Sequence, residues 1–201
     1  MHSTLARRTA LTLVAVAGLG ACGSTPPSQF YVLAPIDGAA GAAASPELAV
    51  FIQAVRVTEA VDRPQIVTVE DSHERRFSEF SRWAEPLPAN IAAVLAENLG
   101  RRLGTERVSV LPTQLAERPD VRVTVDVVRF DATLGGPCRL VALWSLRDGE
   151  SGWIDAGRTE AAATADGDGY GALARAMSEC VAQLSGALAE KIGARARPGG
   201  G

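Results

Sequence analysis

The sequence predicts an α+β fold, a mostly antiparallel sheet of about six strands with two long amphipathic helices packed on one face. Three observations lead there. Apolar residues recur at helical spacing in two separate stretches, 87–103 and 170–192. They alternate at period two through much of 121–163, and short β-branched runs precede the first helical stretch. Elements of both kinds on one chain bury their apolar faces against each other as layers.

Taken in order, the apolar piece Phe30–Leu33 opens the domain, and the Ala- and Gly-rich run Asp37–Pro46 reads as a flexible loop. Ala49–Val57 and Ile66–Val69 read as strands separated by a turn at Asp62-Arg63-Pro64, and Phe77–Trp83 is a weaker strand. Leu87, Ile91, Val94, Leu95, Leu99 and Leu103 share one helical face, with Pro88 suited to the first turn and Gly104 to the stop. Val121, Val123, Val125 and Val127 alternate with polar residues, and Val128 and Phe130 then take the opposite phase, which predicts a bulge. Leu140, Ala142, Trp144 and Leu146 alternate again, and Asp148-Gly149 turns the chain into a strand over Trp153–Ala163. The closing helix carries Tyr170, Leu173, Met177, Val181, Leu184, Leu188 and Ile192 on one stripe and is expected to stop at Gly193. Residues 194–201 lack periodicity and read as a disordered tail.

Ahead of the domain, Arg7 and Arg8, an apolar run Leu11–Leu19 and the sequence Leu19-Gly20-Ala21-Cys22 form a lipoprotein signal peptide over residues 1–21. The run is shorter than the roughly 20 residues of a spanning helix. Cys22 is thus the expected lipid attachment site, with 22–28 a short tether containing Pro26 and Pro27 and 29–193 a single domain. Gly23 stands where Asp would be the inner-membrane retention signal of enteric bacteria, so the expected location is the outer membrane, facing the periplasm. Removing the leader takes two of the 20 basic residues, leaving 18 against 23 acidic ones and a formal charge of −5. That balance argues against nucleic-acid binding, which needs a basic surface.

The chain is poor in catalytic chemistry. After loss of His2 with the leader, His73 is the sole histidine, in a polar Asp71-Ser72-His73-Glu74 run that reads as a solvated turn. Asp166 and Asp168 lie among glycines and read as solvated acids. Lys191 is followed by Ile192, so no phosphate-binding loop ending in Lys-Ser or Lys-Thr is present and any energy for transport must come from another subunit. No metal or cofactor is expected. Cys138 and Cys180 leave two alternatives open, a disulfide made after export or two small apolar core side chains.

Two runs are more informative. Asp62-Arg63-Pro64-Gln65-Ile66-Val67 and Arg82-Trp83-Ala84-Glu85-Pro86-Leu87, followed by Leu95-Ala96-Glu97-Asn98-Leu99, resemble the ABC-type transport auxiliary lipoproteins, the PqiC family. Phe30-Tyr31-Val32-Leu33 and Gly169-Tyr170-Gly171-Ala172-Leu173 match the family's beginning and end, so the resemblance spans nearly the whole mature chain. It implies a non-enzymatic partner of MCE-domain periplasmic proteins, which carry phospholipid or other hydrophobic molecules under the drive of an inner-membrane ABC permease and ATPase, and self-association into a ring. Cys138 and Cys180 fall outside the pattern.

Pro64 and Pro86 hold Arg63 and Glu85 in extended backbone, so each run presents a rigid charged edge beside an apolar segment. Arg63, Gln65, Arg82, Trp83 and Glu85 are therefore candidates for docking a partner, Trp and Arg being common binding hot spots. The alternative is that Trp83 packs beneath the first helix and Arg82 pairs with Glu85. Two other function classes are a periplasmic carrier with its own acyl-chain pocket and a hydrolase relying on His73. The carrier requires an apolar cavity of several hundred cubic ångströms.

Overall fold

The structure, a computed structural model, describes residues 26–36, 45–110, 119–148, 152 and 154–196. The leader, Cys22, most of the Ala- and Gly-rich loop, Gly149, Trp153 and residues 197–201 lie outside the described residues. Within them the chain runs β1 (Gln29–Tyr31), β2 (Val50–Val57), β3 (Gln65–Val69), β4 (Arg75–Trp83), α1 (Leu87–Leu103), β5 (Val108–Ser109), β6 (Val121–Ala132), β7 (Pro137–Asp148), β8 (Ile154–Thr164) and α2 (Tyr170–Ala196).

The α+β class and the two long helices are as expected, but the eight strands divide into two mixed sheets rather than one mostly antiparallel sheet of about six. A small sheet has the order β1-β4-β3 and a large one the order β5-β2-β6-β7-β8. Half of the pairings are parallel: β1 with β4, and β2 with both β5 and β6. The physical reason is the connection. β2 and β6 pair in parallel only because the small sheet and α1 intervene, and such pairs need a crossover of this kind.

The first helix follows its stripe closely. Leu87, Ile91, Val94, Leu95, Leu99 and Leu103 are all buried, and Gly104 ends the helix in the left-handed region at φ 63° with its N–H bonded to the Gly100 carbonyl. The second helix does not stop at Gly193 but continues to Ala196, since a glycine ends a helix only where the chain turns into the left-handed region. Both helices cover the face of the large sheet that carries Val121, Val123, Val125, Leu140 and Leu146, α1 over β2 and β5, and α2 over β6, β7 and β8. The opposite face, with Arg122, Thr124 and Asp126, is open.

The phase change in β6 is a bulge: register shifts between Val127 and Arg129, which leaves Val128 outside and returns Phe130 to the core. On β8, Gly157 faces Trp144 across the strand pair, and the indole lies over it with its Nε1–H donating to Thr159 Oγ1 at 3.0 Å. A Cβ at position 157 would overlap the indole Cζ2 and Cη2 atoms. Gly157→Ala is expected to displace the ring and lower stability by about 1–3 kcal/mol; an unchanged urea midpoint would show that the ring has room to move.

Candidate docking site

The small sheet brings together runs that are distant in sequence. Phe30 pairs with Arg82 and Arg82 with Gln65, so β1, β4 and β3 place these three residues side by side in one row. Main-chain bonds lock the row: Trp83 N–H donates to the Pro64 carbonyl and Ala84 N–H to the Tyr31 carbonyl, each at 2.8 Å. The segment after β1 is fastened to both helices. Asn90 of α1 is buried and grips Leu33 twice, its Oδ1 accepting from Leu33 N–H at 2.6 Å and its Nδ2 donating to the Leu33 carbonyl at 3.2 Å. Ala34 N–H donates to Ser178 Oγ of α2 at 3.1 Å.

Where the two motif runs meet, Asp62, Arg63, Pro64, Trp83, Glu85 and Leu87 line a cleft of about 310 Å³. Trp83 is only 5% exposed and belongs to the core, so it forms a wall of the cleft and does not project from it. Arg82 makes no ion pair with Glu85. Instead the Nε atoms of Arg82 and Arg63 are buried without a hydrogen-bond partner, an uncommon state for a polar atom. The Arg63 guanidinium lies over the Phe77 ring at 4.3 Å from its centroid, a cation–π contact that fixes the side chain without neutralising it.

Around the row stand exposed apolar side chains, Phe30 at 65%, with Phe77 and Val32 both at 49%. The sequence pattern marks Phe77 only as the start of a weak strand and Phe30 only as part of a motif, because nothing local shows that either side chain stays outside the core. Exposed aromatics beside arginines with incompletely bonded guanidinium groups make a surface suited to a protein partner.

The other candidates are placed apart. His73 sits on the exposed β3–β4 turn, where Asp71 Oδ1 accepts from the N–H groups of His73 and Glu74 at 2.6 and 2.8 Å. Asp166 pairs with Arg175. Among the described residues no group of three or more His, Cys, Asp or Glu side chains is arranged to hold a metal, and no helix is long and apolar enough to cross a membrane. Cys138 and Cys180 are both buried and unbridged, with their Sγ atoms 3.5 Å apart. Contact with the Cys180 thiol, together with burial, pushes the Cys138 thiol well above its usual range.

A carrier cavity finds little room beneath the helices. Ile52, Leu95, Leu99, Leu140, Leu146, Leu173, Leu184 and Leu188 are fully buried in one continuous cluster. A cleft of about 590 Å³ runs along the outside of α1, where Ala93, Ala96 and Val108 alternate with Glu97, Arg101 and Glu106, and it is open to solvent rather than enclosed as an acyl chain requires.

No curated protein matches the chain. Among solved structures, an uncharacterised protein superposes with a TM-score of 0.69 at 18% identity, over 83% of this chain and 99% of the other. A Xanthomonas campestris protein assigned to the DUF330 family superposes with a TM-score of 0.66 at 14% identity, over 84% of this chain and 98% of the other. At such identities the likeness speaks for the fold alone. The family model described as the ABC-type transport auxiliary lipoprotein component matches residues 31–189, a stretch holding both motif runs, all of α1 and most of α2, and the chain belongs to that family.

Proposed function

We propose that the protein is a non-catalytic, lipid-anchored docking subunit at the outer membrane, facing the periplasm. There it receives a periplasmic MCE-domain protein and works through it with an inner-membrane ABC permease and ATPase that move phospholipid or another hydrophobic molecule. The observation that carries this reading is the convergence of the Phe30, Arg63–Gln65 and Arg82–Glu85 runs on one small sheet. The residues of these runs could all have been scattered through the core; apart from Trp83, they form a surface with exposed aromatics and partly unsatisfied arginines.

The position of the surface supports the same reading. Cys22 precedes β1 by seven residues, a length that spans at most about 25 Å when fully extended. The small sheet is therefore held close to whatever membrane receives the acyl chains. Copies arranged as a ring would present several such faces around one conduit.

A photoreactive residue placed at Phe77 in the full lipoprotein is expected to capture an MCE-domain protein from native membranes. Phe30→Asp, a change at a side chain outside the core, is expected to reduce that capture at least about tenfold, the loss of one interfacial anchor. Capture that ignores this substitution, or that never includes an MCE-domain protein, would overturn the reading.

A further inference from the structure

The open face of the large sheet carries a second site that none of the motif runs touches. Arg122 on β6 and Arg147 on β7 are direct register partners, so two guanidinium groups stand opposite each other on neighbouring strands. Like charges in that arrangement repel and destabilise a sheet. Elsewhere on this sheet Arg56 is bonded to Asp126, Arg129 to Asp131 and Arg158 to Glu160. Among the described residues Arg122 and Arg147 have no such carboxylate, in a chain whose acids outnumber its bases.

The surroundings are those of an oxyanion site. Thr124 and Ser145 form the next pair on the same face, adding two hydroxyl donors beside the arginines. Gln53 comes from β2 at the point where its register with β6 shifts between Ile52 and Ala54, and a bulge of this kind re-aims a side chain. These five residues line a depression of about 430 Å³. It has room for a phosphate group, whose tetrahedral oxygens suit two forked guanidinium groups and the flanking hydroxyls. Phe51 and Ile154 continue the Arg122–Arg147 row on either side, so apolar contact is available next to the charged centre.

We propose that Arg122, Arg147, Thr124, Ser145 and Gln53 form a phosphate-binding site, for a phosphate group carried either on a lipid headgroup or as the free ion. The site rests on the large sheet's open face and stands independently of the docking role of the small sheet. The repulsion between the two arginines is then a cost of the empty state that a bound phosphate relieves.

The test uses the full lipoprotein in neutral maltoside micelles, with thermal unfolding and binding followed in chloride of matched ionic strength. Inorganic phosphate or dihexanoyl phosphatidic acid is expected to raise the melting temperature saturably, as a ligand of the folded state does. Arg122→Gln and Arg147→Gln are each expected to weaken binding by at least about tenfold, while leaving the anion-free protein as stable or more stable. Tighter binding of the phosphatidic acid by about tenfold identifies the headgroup as the source, and equal binding identifies the free ion. Either result upholds the site. No saturable effect of either probe beyond that of chloride, or an effect retained in both variants, overturns it.

Discussion

Replacing Cys22 with serine is expected to move the protein from the membrane fraction to the soluble fraction almost completely. The number of acyl chains decides the outcome. A single myristoyl-length chain binds membranes reversibly, with a constant of about 10⁴ M⁻¹, whereas each further buried methylene adds roughly 0.8 kcal/mol. A lipoprotein cysteine carrying a diacylglycerol and an amide-linked chain holds the domain beyond practical dissociation, and a serine in its place can carry neither. Position 22 lies ahead of β1, so the variant is expected to unfold at the same temperature as the parent once both are in the same detergent. Density-gradient separation of the parent's membranes tests the outer-membrane assignment at the same time. Full retention of the Cys22→Ser protein on membranes would mean that protein contacts, not acyl chains, hold it there.

Membrane release and partner capture test different parts of one arrangement. The Asn90 clamp on Leu33 ties the segment just after β1 to α1, and Ser178 ties the next residue to α2. The exposed row on β1, β3 and β4 is therefore set by the rigid core. A face built this way would have little orientation entropy to lose on binding a partner.

The helices were legible because their information is local. Leu87, Ile91, Val94, Leu95, Leu99 and Leu103 need only a 3.6-residue period to declare a buried face, and every one is buried. Val121 to Phe130 declared even its bulge, because the alternation itself changes phase there. Partner choice is not local. Nothing in Val50–Val57 says that it lies parallel to β6, and Val108–Ser109, two residues long, is a strand only because β2 is there to pair with it.

The site divides the same way. The Arg63–Gln65 and Arg82–Glu85 runs stand out as strings, yet the contact of Gln65 with Arg82 exists only after β3 and β4 have paired. Proximity in sequence misled for Arg82 and Glu85, which do not pair, because the chain leaves β4 between them and bends toward α1. Arg122 and Arg147 gave no signal at all. Each is an ordinary polar residue of an alternating strand, and their opposition is a fact of register.

The largest stability effect is expected at Cys138 and Cys180. Export of the lipoprotein would bring both thiols into an oxidising compartment, and their Sγ atoms lie 3.5 Å apart, so small side-chain movements suffice to bridge them. The bond would close a loop of 42 residues, and on the chain-entropy model it stabilises the fold by about 4 kcal/mol, lost on reduction or in Cys180→Ser. Only the thiolate attacks, and the contact between the two sulfurs holds the Cys138 thiol up while drawing the Cys180 thiol below its usual range, so Cys180 is the sulfur that ionises first. Both sulfurs are buried in the folded chain, so the bridge is expected to form during folding, while the pair is still accessible. Protein purified reduced and folded should oxidise slowly, because both sulfurs are shielded from an external oxidant, at a rate that rises with pH only until the Cys180 thiol is ionised. Mass spectrometry of protein isolated from the envelope under alkylating conditions reads the outcome directly. A mass showing two alkylated thiols in the folded chain would assign Cys138 and Cys180 to the core as small apolar side chains, and the stability difference between oxidising and reducing buffers would then vanish.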